Sequence, residues 1–153
     1  ETSDRISDLG LANSAAELLP EGTVVLSRTA SVGFSGIMPK PMATSQDFWN
    51  WVCGPQLLPE YLMFTFRAMQ SYFSALMMGS THKTIYQADA AAIRIPLPPL
   101  KEQQAIVSQI DSKTASVDAL IDKATGLISL MREYRSALIT DAVTGKIDVR
   151  GVA

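Results

Sequence analysis

The sequence is poor in the residues from which most reaction centres are built. Its 153 residues contain one cysteine, Cys53, and one histidine, His82. A single cysteine excludes an internal disulfide and a cysteine zinc knuckle, and reads as a small buried hydrophobe in a reducing compartment. A nucleophilic site needs Cys53 or a serine beside His82, and no spacing in the sequence brings such groups together. Phosphate loops are missing as well: Ser31-Val32-Gly33-Phe34-Ser35-Gly36 has two glycines and lacks the lysine of a Walker motif. Apolar runs, such as the one around Tyr61 to Phe66, stop well short of the roughly 20 residues that cross a bilayer. Neither end shows a secretory pattern, so the expectation is a cytoplasmic protein with no membrane partner, no metal and no catalytic centre.

Charge of one sign is also lacking. The net charge is −2, from 13 Lys and Arg against 15 Asp and Glu. Before Pro99 there are 6 basic and 8 acidic residues, and after it 7 of each. The chain is therefore not a polycation that binds nucleic acid through its bulk field, and any such role must be local.

What is present falls into two textures. Up to Pro99 the chain is irregular, with short apolar runs punctuated by Gly and Pro. Ser14-Ala15-Ala16-Glu17 fits a capping box and predicts a short helical turn ending near Leu19-Pro20. Thr23 to Arg28, rich in β-branched residues, predicts a central strand covered on both faces. Phe34 to Met38 and Phe48 to Cys53 give two more candidate strands, separated by Pro39-Lys40-Pro41. Pro59 suits a first helical turn, and Leu62, Phe66, Met69, Phe73 and Leu76 recur at helical spacing until Gly79. Ile93-Arg94-Ile95 reads as a short strand.

Pro96-Leu97-Pro98-Pro99 forms a stiff joint that cannot lie inside a helix. From Leu100 to Val143 there is no proline, and apolar residues repeat on a heptad. One column is Ile110, Val117, Ala124, Met131 and Leu138, and the other is Ile106, Lys113, Leu120, Leu127 and Tyr134. Such a helix is about 65 Å long. The roughly 100 residues before it fold to a radius of gyration near 13 Å and cannot cover it, so the seam requires a partner. Gly145 suits the left-handed position that ends a helix.

Three polar clusters carry groups that contact phosphates and base edges: Arg28 to Gly33, Thr44 to Asp47, and Gly79 to Thr84. Solvated turns are the plain alternative for each.

The run Ile95-Pro96-Leu97-Pro98-Pro99-Leu100-Lys101-Glu102-Gln103, the heptad helix behind it and Ala142-Val143-Thr144-Gly145-Lys146-Ile147-Asp148 resemble the DNA-specificity subunits of type I restriction-modification enzymes, a bacterial defence system. Leu19-Pro20-Glu21-Gly22-Thr23, Ala43-Thr44-Ser45-Gln46-Asp47-Phe48 and Gly79-Ser80-Thr81-His82-Lys83-Thr84-Ile85 resemble the target-recognition domain of that family. A full family member carries two recognition domains and two long antiparallel helices, and this sequence matches one of each.

The resemblance implies an α+β fold. Residues 1–99 would be a small mixed-sheet recognition domain, N-terminally incomplete, residues 100–143 a coiled-coil spacer helix, and 144–153 a tail. It implies double-stranded DNA as a partner, contacted by Arg28, Thr29 and Ser31 on one loop, Ser45 and Gln46 on a second, and Thr81, His82, Lys83 and Thr84 on a third. It further implies that Ile106, Ile110, Val117, Leu120, Leu127, Met131, Tyr134 and Leu138 bury against a second helix, in cis or from another copy. The helix would set the spacing between half-targets and dock methyltransferase subunits, with the restriction subunit joined indirectly. S-adenosylmethionine, ATP and magnesium belong to the partner subunits in this family, so no cofactor is expected here. The competing expectation is an assembly or adaptor protein joined through the helix without DNA.

Overall fold

The computed structural model describes residues 5–29, 31–76 and 84–148. The chain divides into two units, Glu1–Ser108 and Gln109–Ala153. Among the described residues the strands form one three-stranded sheet in the order β2-β1-β3, where β1 is Val24–Ser27, β2 Ser35–Ile37 and β3 Phe48–Trp51. The class is α+β, with a long helix following a small sheet. All pairings are antiparallel, which corrects the mixed sheet expected from the sequence. The three strand segments follow one another through short connections, and antiparallel pairing needs no crossover.

β1 is central, as its β-branched composition predicts. Val24 and Leu26 are fully buried on one face, where helix α2, Pro59–Ala68, packs through Leu62 and Phe66. Trp51, opposite Val24, meets the Phe66 ring edge-on at 4.8 Å, and Phe66 meets Phe73 at 5.8 Å. The second face is not covered as expected. Val25 is only half-buried there and borders a cleft of about 570 Å³ lined by Gly36, Met38, Met42 and Phe48.

Pro59 occupies the first helical turn as its fixed φ allows. The single helix expected up to Gly79 is broken at Met69, and its second part, α3, runs Gln70–Leu76. The Met69 N–H is shared between the carbonyls of Thr65 and Phe66, both at 3.1 Å, which tightens the last turn of α2. Thr65 bends back to the Tyr61 carbonyl at 2.8 Å, and Gln70 reaches out to the Val32 carbonyl at 3.0 Å. The apolar stripe nevertheless continues across the break, because Leu62, Phe66 and Phe73 share one core.

Two further expectations are corrected. Ser14 to Leu19 is not helical: the Ser14 hydroxyl accepts from the Ala16 N–H at 3.2 Å in a local turn that no helix follows. The short helix α1 lies earlier, at Asp8–Ala12, where the Ser7 hydroxyl accepts from the Gly10 N–H at 3.0 Å. Ile93 to Ile95 is not a strand but follows an alanine-rich helix, α4, Gln87–Ala92. Ile93 and Ile95 pack on the core without pairing.

After the proline joint, α5 runs Leu100–Val143. Within the first unit, the Tyr61 hydroxyl donates to the Pro96 carbonyl at 3.1 Å. The fully buried Gln103 bonds to the residues around the start of α2. In the second unit, Gly145 has a φ of +74°. The Lys146 and Ile147 N–H groups return to the Asp141 carbonyl at 2.8 and 3.1 Å, closing the helix end.

Candidate nucleic-acid interface

The loops singled out in the sequence meet because of the strand register. β1 runs out at Ser27, which is paired with Phe48 at the start of β3, so the 44–47 segment reaches the same end of the sheet. The Ser27 N–H donates to the Phe34 carbonyl at 2.8 Å, which folds the 31–34 turn back against that end. The Arg28 N–H donates to the Asp47 carbonyl at 2.9 Å, and the Ile85 N–H donates to the Arg28 carbonyl at 3.0 Å. Thr29 and Thr84 form an isolated bridge. One end of the sheet therefore gathers Arg28, Thr29, Ser31, Ser45, Gln46 and Thr84. Thr81, His82 and Lys83 lie outside the described residues.

The gathered side chains differ in what they have free. The hydroxyls of Thr29 and Thr84 face each other at 3.4 Å. Ser31 is exposed at the turn, where its carbonyl accepts from the Phe34 N–H at 3.3 Å. Ser45 is tied into its own loop: its hydroxyl donates to the Asp47 carboxylate and accepts from the Asp47 N–H, both at 3.2 Å. Gln46 beside it is exposed. Arg28 lies with its guanidinium carbon 4.7 Å from the centre of the Trp49 ring, within cation–π range. Its Nε is buried and has no hydrogen-bond partner, and among the described residues Arg28 forms no ion pair.

Four residues of this end were not expected as site residues. Asp47 places a carboxylate among the basic and hydroxyl groups. Trp49 supports Arg28, a role concealed in the sequence because its alternation with Trp51 signals only a strand. Gln70 holds the 31–34 turn through the Val32 carbonyl, and Gly33 there has a φ of +89°. Phe34 is 72% exposed on that turn, an unusual position for a large aromatic ring.

The opposite end of the sheet has different chemistry. Cys53 lines a cavity of about 320 Å³ with Glu21, Thr23, Leu57 and Pro59. Burial pushes its thiol pKa up, and the negative charge of Glu60 adds to the effect. A raised thiol pKa opposes formation of the nucleophilic thiolate. Among the described residues no group of three or more His, Cys, Asp or Glu could hold a metal. No described helix is long and apolar enough to cross a membrane.

On the helix, the seam residues differ in exposure along its length. Ile106 and Ile110 are half-buried. Val117, Leu120, Leu127, Met131, Tyr134 and Leu138 are exposed, from 40% for Leu138 to 68% for Met131. This is a row of large side chains that a polar helix face would not carry.

Comparison with known proteins gives a consistent result. Residues 1–124 match the family described as the type I restriction modification DNA specificity domain. The chain is 29% identical over 145 residues to the EcoKI specificity subunit of Escherichia coli, covering 90% of this chain and 31% of that subunit. It is 28% identical over 105 residues to the MjaIX specificity subunit of Methanocaldococcus jannaschii, covering 67% of this chain and 24% of that subunit. The chain thus spans about a quarter to a third of the length of these relatives. Two solved structures share the fold. One, from work on assembly and conformational transition of a type I restriction-modification system, aligns with a TM-score of 0.71 at 21% identity, over 82% of this chain and 31% of that one. The other, the HsdS subunit from Thermoanaerobacter tengcongensis, aligns with a TM-score of 0.57 at 23% identity, over 67% of this chain and 24% of that one.

Proposed function

We propose, from the premise that the chain belongs to the type I restriction-modification DNA specificity domain family, that it recognises double-stranded DNA as part of a non-catalytic specificity subunit. The observation that carries this reading is the convergence of the 28–29, 44–47 and 84–85 segments at one end of the sheet, with an arginine there that forms no ion pair among the described residues. Lys83 and Thr84 serve phosphates, and Arg28 and Gln46 serve base edges. Phosphate contacts fix register, and base contacts supply the sequence preference.

The helix has a second role in this proposal. Residues 100–143 form a spacer whose exposed seam binds another helix, from the same subunit or from a second copy. That rod fixes the distance between the two parts of a split DNA target and presents a surface to methyltransferase subunits, through which the restriction subunit joins. Lys113, the polar interruption in the seam, sets its register as single polar seam residues do. The cytoplasm, where DNA and these partners lie, is the proposed location.

Retention of the full chain on random-sequence duplex DNA at low and moderate salt tests this proposal. A DNA reader is retained at low salt and released steeply as salt rises, with a slope of about 0.9 per phosphate contacted. The exposed seam alone favours a second reading, an adaptor joined through the helix, because apolar side chains ask only for a protein partner. An adaptor shows no retention at either salt concentration.

A further inference from the structure

We infer that Arg28 reads a guanine and that Trp49 is the positioning residue that aims it, an inference that rests on the DNA-recognition reading above. The backbone of Arg28 is held on both sides, by the Asp47 carbonyl at 2.9 Å and the Ile85 N–H at 3.0 Å, so its Cα is fixed by neighbouring segments. Its side chain does not extend freely from that point. The guanidinium lies over the Trp49 ring at 4.7 Å. The ring is fixed in turn: its Nε1–H donates to the Ile85 carbonyl at 3.1 Å, and its body packs against the buried core. One residue, Ile85, therefore ties down both the arginine backbone and the tryptophan ring.

This support orients the arginine without satisfying it. A guanidinium has five N–H donors in a planar fork, and a structural arginine normally directs several of them to carboxylates or carbonyls. Here Nε is buried without a partner, and among the described residues no ion pair engages the group. The Asp47 carboxylate, on the adjoining loop, accepts from Ser45. A planar fork held on an aromatic ring suits the paired acceptors O6 and N7 on the major-groove edge of guanine, where two parallel bonds form. Lysine, a flexible point charge, lacks the rigid planar fork and is not held in that geometry by the ring. The preorganised ring contact also reduces the side-chain freedom lost when the fork engages.

Selection of the full chain on a library of random duplexes, followed by titration of the enriched duplex and its single-base variants, tests the inference. The expected wild-type result is one position where guanine is preferred by about ten-fold or more. Arg28→Lys keeps the affinity for random duplex but weakens that preference, and Arg28→Ala abolishes it. Trp49→Leu reduces the same preference and no other, Trp49→Phe restores part of it, and Arg28→Lys combined with Trp49→Leu is no worse there than Arg28→Lys alone. Circular dichroism checks that each variant remains folded, and Trp49→Phe keeps the test open should Trp49→Leu unfold. If Trp49→Phe and Trp49→Leu leave the preference at wild-type strength, Trp49 does not position the arginine. If Arg28→Ala leaves the preferences unchanged or weakens every duplex equally, Arg28 is a phosphate contact and the inference is overturned. A wild-type chain that binds DNA without any preference, or not at all, overturns the DNA-recognition reading itself and the inference with it.

Discussion

The Leu58 N–H, at the start of α2, donates to Oε1 of Gln103 across 2.9 Å and 45 residues of chain. Leu58 is the N-cap of that helix and has no side-chain oxygen to offer it. Gln103, from the first turn of α5, supplies an acceptor there. Its Nε2 donates to the Gln56 carbonyl at 2.9 Å and the Pro98 carbonyl at 2.7 Å. A fully buried amide thus satisfies three backbone groups where the proline joint meets the start of α2. Gln103→Leu keeps much of the volume and leaves those groups without partners. The expected loss is about 2–4 kcal/mol, read as a lower urea midpoint for the first unit.

Gln103→Glu sharpens the same point. The carboxylate keeps the acceptor for Leu58 but turns a negative charge toward two carbonyl oxygens. Burial and those oxygens favour the neutral acid, which raises the folded-state pKa above the unfolded one. The variant is then most stable at acid pH and weakens as pH rises through that folded pKa. Urea midpoints that do not depend on pH, beyond the wild-type trend, would count against this arrangement.

How much was legible in the sequence depends on where each cause lies. β1, the start of α2 and the whole of α5 were readable because local pattern decides them: β-branched residues, a proline at a helix start, and a heptad free of proline. The break at Met69 was not, because Gln70 is drawn toward Val32, 38 residues away. Helix α4 was overlooked because Gln87–Ala92 is short and lacks periodicity, although its alanines favour helix. The candidate loops were visible as polar clusters, yet their meeting at one end of the sheet follows from the pairing of Ser27 with Phe48 and of Thr29 with Thr84. Such pairings are long-range, so no window of sequence contains them. Trp49 was hidden for the same reason.

Gly33→Ala tests the turn that carries Ser31. With φ at +89°, the position disfavours any Cβ. An added Cβ would also run into the Gln70 side-chain amide, and that amide must leave the Val32 carbonyl to make room. The expected loss is about 1–3 kcal/mol in urea unfolding. Gln70→Ala combined with Gly33→Ala should lose less than the sum of the two single substitutions, because the clash disappears with the amide.

Lys83→Ala addresses the proposed phosphate contact next to Thr84. It should weaken binding to specific and random duplexes by the same factor and lower the salt slope by about 0.9. A change confined to one preferred sequence would instead place Lys83 at a base edge.

Cys53 offers a check on the chemistry of the opposite end. Burial first, and the Glu60 carboxylate second, hold its thiol pKa above the ordinary value. At pH 8 the thiolate fraction is therefore smaller than that of a free cysteine peptide, and iodoacetamide should alkylate Cys53 more slowly. The pH at which alkylation reaches half its limiting rate should lie above that of the peptide. Glu60→Gln should move it partway back and increase the rate at pH 8. Alkylation as fast as the peptide's would mean that the thiol is neither desolvated nor influenced by Glu60.

The exposed seam of α5 is the feature on which the spacer role depends, and two leucines test it. Leu120 and Leu127 belong to the same heptad column and are 64% and 59% exposed. Each would contribute about 1.5–3 kcal/mol on burial against a second helix. Leu120→Glu combined with Leu127→Glu removes that gain and places charges in the seam, so assembly should weaken by at least a hundred-fold. Sedimentation velocity over a range of concentrations reads this directly, for the chain alone and for the chain mixed with methyltransferase subunits. Ser129→Glu, off both seam columns on the same helix, is the control and should leave assembly unchanged. The buried core lies entirely within the first unit, before Ser108, so the urea midpoint of that unit should not move in either variant. Equal assembly by the double variant and the wild type would mean that the seam is not the contact surface, and the helix would lose its role as a ruler.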